Sequence, residues 1–95
     1  MATTVESVAS FIREEVSRIT GRAAESLNNE TPLIGPQRCV RSRELVELLL
    51  SVEEFAEDRM GVTFNWTDDS AMSEGRSIFR SIGTLAAHVT RLQKA

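Results

Sequence analysis

One cysteine, one histidine, two prolines and no tyrosine stand among the 95 residues, and each scarcity removes a class of protein. A lone thiol, Cys39, cannot close an intramolecular disulfide, and no Cys/His spacing suggests zinc. Aromatic residues are limited to Phe11, Phe55, Phe64, Phe79 and Trp66. A core must therefore come mainly from Val, Ile, Leu and Ala, the composition of a helical bundle. The longest apolar run, Leu48-Leu49-Leu50, is far shorter than the ~20 residues of a membrane-crossing helix, so no membrane span is expected. Met1-Ala-Thr-Thr-Val-Glu6 has neither the basic start nor the apolar stretch of a signal peptide, which makes the cytoplasm the expected location. The sequon-like Asn29-Glu30-Thr31 and Asn65-Trp66-Thr67 are then chance matches. Basic charge is also short, with 11 bases against 14 acids and a net charge of −3. That balance argues against general nucleic-acid binding, which needs a basic face, and suits partners that present basic patches.

What is present organises as one domain, residues 1–95. A chain of this size buries about 60–65% of its unfolded surface, so it can build one core and hide little else. Val5, Val8, Ala9, Ile12, Val16 and Ile19 recur at the spacing of one helix face. They predict a helix over residues 4–19, capped by Thr3 or Thr4 and stopped by Gly21. From Thr20 to Arg41 the period is lost among Asn28-Asn29, Thr31-Pro32 and Gly35-Pro36. Leu27, Leu33 and Ile34 are expected to pin this long connection to the core. A second helix is predicted from Ser42 to Met60, with Leu45, Leu48, Leu49, Val52, Phe55 and Ala56 as its apolar stripe and Gly61 as its end. After an irregular stretch over 62–80, in which Thr67 to Met72 and Glu74 to Phe79 each suit a short helical turn, Ile82, Leu85, Ala86, Val89 and Leu92 mark a last helix with Ser81 as N-cap. The expected fold is all-α, an irregular bundle of three to four helices with a long ordered loop between helices one and two.

Four segments carry a resemblance: Thr31-Pro-Leu-Ile-Gly35, Val40-Arg-Ser-Arg-Glu-Leu-Val-Glu-Leu-Leu-Leu50, Glu53-Glu-Phe55 and Phe79-Arg-Ser-Ile-Gly-Thr-Leu-Ala-Ala-His-Val89. Together they resemble the acyl carrier protein family over about two-thirds of the chain. That family has a Leu-hydrophobic-Gly loop, an Asp-Ser-Leu motif opening helix two and a late segment starting the final helix. The resemblance implies the carrier-type bundle and a 4′-phosphopantetheine group attached covalently at Ser42. It also implies partners: a phosphopantetheinyl transferase and acyl- or aminoacyl-activating and transferring enzymes. The carrier itself is then a monomer and not an enzyme. Arg41 and Arg43 stand where the family has Asp and Leu, and Arg38 adds to a locally basic mouth. In the carrier reading these two arginines flank the phosphate, while Glu44, Glu47 and Glu54 steer basic partners. The 62–77 stretch is longer than the family's usual link.

Blander readings of the same residues remain open. Ser42 at a helix start is also what an ordinary N-cap looks like. Arg41 and Arg43 could serve an unmodified carrier-fold module that binds a protein through helix two. Cys39, beside Arg38 and Arg41, could be an activated nucleophile or an inert, partly buried thiol. His88 falls on the last helix next to a core residue, and nothing in the sequence pairs it with Cys39 or Ser42 as catalysis would require. Phe64 and Trp66 read as core plugs.

Overall fold

The computed structural model describes residues 4–64 and 78–92. Among them are three α-helices and no strand: α1 (Val5–Thr20), α2 (Ser42–Phe55) and α3 (Ile82–Leu92). No helix among the described residues is long and apolar enough to cross a membrane. Trp66 and the short turn expected over 67–72 lie outside the described residues, as does most of the 74–79 turn.

The two ends of α1 follow from local chemistry. Thr4 Oγ1 accepts from the Ser7 N–H at 3.1 Å, and Gly21 takes φ 80° while its N–H donates to Ser17 O. That left-handed conformation suits a residue without Cβ. Val8, Ala9, Ile12 and Val16 are buried, as the spacing predicts, whereas Val5, the first residue of the helix, is 41% exposed. In α2, Leu48, Leu49, Val52 and Ala56 are buried, and Leu45 and Phe55 are half-buried. The α-helix stops at Phe55, earlier than the sequence suggests, and continues as a π-helical turn over Ala56–Met60 closed by Gly61 at φ 66°.

Ion-pair and ring contacts show that α1 and α2 run antiparallel. Arg18 lies 3.8 Å from Glu47, and Phe11 stacks on Phe55 at 4.2 Å between centroids. The 21–41 connection contributes Leu27, Leu33 and Val40 to the same core as the helices. It is tied to the start of α3 by three backbone hydrogen bonds: Leu33 N–H to Arg80 O and Ile82 N–H to Thr31 O, which together form an isolated antiparallel bridge between Pro32 and Ser81, and Gly83 N–H to Asn29 O at 2.7 Å. Ser81 caps α3 through a reciprocal pair with Thr84, each residue's hydroxyl accepting from the other's N–H. Phe64, Ile78 and Phe79 complete the core from the connection before α3.

Candidate functional site

Ser42 is the first residue of α2 and is exposed. The N-cap is Arg41, in extended conformation with φ −81° and ψ 166°. This corrects the reading of Ser42 as an N-cap: the chain turns helical one residue earlier. The physical reason is Glu44. Its carboxylate accepts from the Arg41 N–H at 2.7 Å, and Arg41 O accepts the first helical bond from Leu45 at 2.8 Å. Half of a capping box therefore forms. The other half is missing, because a guanidinium has no acceptor for the first-turn N–H groups. In this α2 differs from α1 and α3, whose caps are the hydroxyls of Thr4 and Ser81.

The antiparallel pairing brings the end of α1 to this mouth. Thr20 and Arg22, with Arg38, Cys39, Val40, Arg41 and Glu44, line an open cleft of about 300 Å³. Three of the lining groups are exposed arginines, and Arg43 is exposed one residue beyond Ser42. The unsatisfied N–H groups of a first helical turn and the positive end of the helix dipole favour an anion at such a place. Arg22 escapes a motif-based reading because it is remote from Ser42 in sequence. The available signal was its position just after the Gly21 stop, since in an antiparallel pair the end of the first helix meets the start of the second.

The other residues singled out by sequence are dispersed. Glu44 is half-buried and engaged with the Arg41 N–H, so its carboxylate is held inward at the helix start. Glu47 and Glu54 are exposed along α2, with Glu47 facing Arg18 across the seam. Val46 and Leu50, 45% and 54% exposed, lie one turn apart on the outward side of the same helix. Cys39 packs partly against the core, and its N–H donates to Pro32 O at 3.0 Å. Burial pushes its thiol above the ordinary range, and the nearby Arg22 opposes that only in part. Of the two readings of this residue, the direction favours the inert, partly buried thiol: desolvation of the thiolate outweighs the charge of Arg22. His88 is half-buried on α3 with its ring edge-on to Phe64 at 5.7 Å. Phe64 itself is 1% exposed and fills the core.

No family model matches the chain. Nor does any curated protein or solved structure show significant similarity to it.

Proposed function

We propose that the chain is a carrier of the acyl carrier type, holding an acyl or aminoacyl cargo on a 4′-phosphopantetheine arm at Ser42. One observation carries the reading: an exposed serine opens a helix whose N-cap supplies no acceptor, between Arg41 and Arg43 in the chain and at the edge of a cleft lined by Arg22, Arg38 and Arg41. A phosphodiester on Ser42 Oγ fits that setting. Its oxygens would accept from the first-turn N–H groups and from the Arg41 and Arg43 side chains. The arm supplies a thiol that holds cargo as a thioester, and the protein supplies position and recognition.

Docking in this reading falls on the outward side of α2. Exposed Val46 and Leu50, with Glu47 and Glu54 beside them, offer an apolar strip edged by acids to basic enzymes. Glu44 contributes to the helix start instead. The resemblance of the 31–50 and 79–89 segments to carrier proteins supports the same reading, as does an all-α fold with a long connection before α2.

The test is the intact mass of the protein from its native host, beside that of Ser42→Ala. A species heavier by one phosphopantetheine group, lost in the variant, is the expected result, and further mass on the arm would identify the cargo. A chain that stays unmodified after incubation with host extract and coenzyme A rejects the carrier reading. The arginine-lined cleft favours one second reading, an unmodified module that binds an acidic protein surface through Arg41 and Arg43. In that case Ser42→Ala is harmless and reversal of both arginines abolishes binding.

A further inference from the structure

At the end remote from Ser42, the seam between α1 and α2 opens into a groove of about 470 Å³. The stacked rings of Phe11 and Phe55, 21° from parallel and each half-buried, contribute its aromatic surface. Half-buried Glu15 and exposed Glu14, Glu54 and Asp58 also line it, with Arg59 as the one lining cation. Glu15 is engaged internally: Arg18 holds its carboxyl below the ordinary range and the Ser51 hydroxyl adds to this. Among the described residues no ion pair engages Glu14, Glu54 or Asp58. With Glu15 set against Arg18, three carboxylates face one lining guanidinium, and the groove keeps a formal charge of −2.

That combination selects the occupant by charge complementarity. A neutral apolar ligand would strip water from carboxylates without replacing it, and an anion would be repelled. A cation over a ring face is attracted by the ring quadrupole. A planar guanidinium can also stack on the ring while donating to carboxylates at its edge. Leu50, one turn before Glu54 on α2, is 54% exposed and extends the surface with an apolar contact. We propose that the groove docks an arginine-bearing segment of a partner protein. Its guanidinium lies against Phe11 and Phe55 among Glu14, Glu54 and Asp58, and a neighbouring apolar side chain covers Leu50. The proposal holds whether or not Ser42 is modified.

The experiment titrates the unmodified full chain, observed by NMR, with a blocked peptide of alternating leucine and arginine and with its citrulline counterpart. The arginine peptide is expected to shift the ring resonances of Phe11 and Phe55 with one-to-one stoichiometry, and the citrulline peptide to leave them in place. Glu14→Gln with Glu54→Gln should weaken binding about tenfold or more. Glu25→Gln with Glu30→Gln, an equal loss of exposed charge elsewhere, should change it less than about twofold. Equal weakening by both pairs, unmoved ring resonances or equal binding of the citrulline peptide would each overturn the proposal. So would concentration-dependent shifts of the same rings without peptide, which would make a second copy of the chain the occupant. The ring shifts are read on the native sequence, so the result stands even if a variant folds poorly.

Discussion

At Cys39 two opposing effects act on one thiol. Arg22 favours the thiolate, while burial against the core and the nearby Glu44 carboxylate disfavour it, and burial is the largest of these. The folded protein thus keeps Cys39 protonated at neutral pH. Alkylation by iodoacetamide at pH 7 should run several-fold slower than for an unperturbed thiol, whose pKa is about 8.5. The rate should still be climbing above pH 9, as more thiolate forms. A rate that levels off below pH 8 would mean the arginines outweigh burial. At Ser42 the decisive neighbour is Arg41, because a residue with no acceptor occupies the place where α1 and α3 carry a hydroxyl.

Among the elements, α3 depends on a contact that helix propensity would misjudge. Gly83 is helical, and replacing a helix glycine by alanine ordinarily stabilises by about 0.5–1 kcal/mol. Here a Cβ would lie 2.8 Å from Asn29 O and 3.0 Å from Asn29 Cβ, where backbone meets backbone. The Gly83 N–H also donates to that oxygen at 2.7 Å, and Arg13 bonds the Asn29 side chain at 2.8 Å. The strand of loop therefore has little room to retreat. Gly83→Ala should destabilise by about 1–3 kcal/mol, the usual range for overpacking. Urea unfolding checks the sign, and a more stable variant would show that the loop yields.

For the molecule as a whole, the 21–41 connection belongs to the core as much as the helices do. Leu33 in that connection and Leu48 in α2 are both fully buried, whereas Leu50 is 54% exposed. Leu33→Ala should cost about 2–5 kcal/mol, as for a core leucine in a helix. Leu50→Ala should stay within about 0.5 kcal/mol, as surface changes usually do. Thermal unfolding of both variants tests whether connection and helices unfold as one unit. A Leu33→Ala protein as stable as its parent would place the connection outside the cooperative core.

The three helices are legible in the order of amino acids, because their signals are local. Thr4, Gly21 and Ser81 mark ends within a turn of where the chain obeys them, Gly61 closes the π-helical continuation of α2, and the 3.6-residue spacing of Val8, Ile12, Val16 or Leu85, Val89 names a buried face. The sequence also singles out Ser42, through a resemblance in the order of its segments. Other features arise only on packing, from residues distant in the chain. Asn29 meets Gly83, Arg22 arrives beside Arg41, and Phe11 lands on Phe55 because α1 and α2 pack antiparallel. The shift of the N-cap from Ser42 to Arg41 was a contest between two adjacent residues, settled by the Glu44 carboxylate reaching the Arg41 N–H. Periodicity reports which face a residue takes, but not which partner will stand opposite it, and charge and packing at the cleft and the groove depend on that partner.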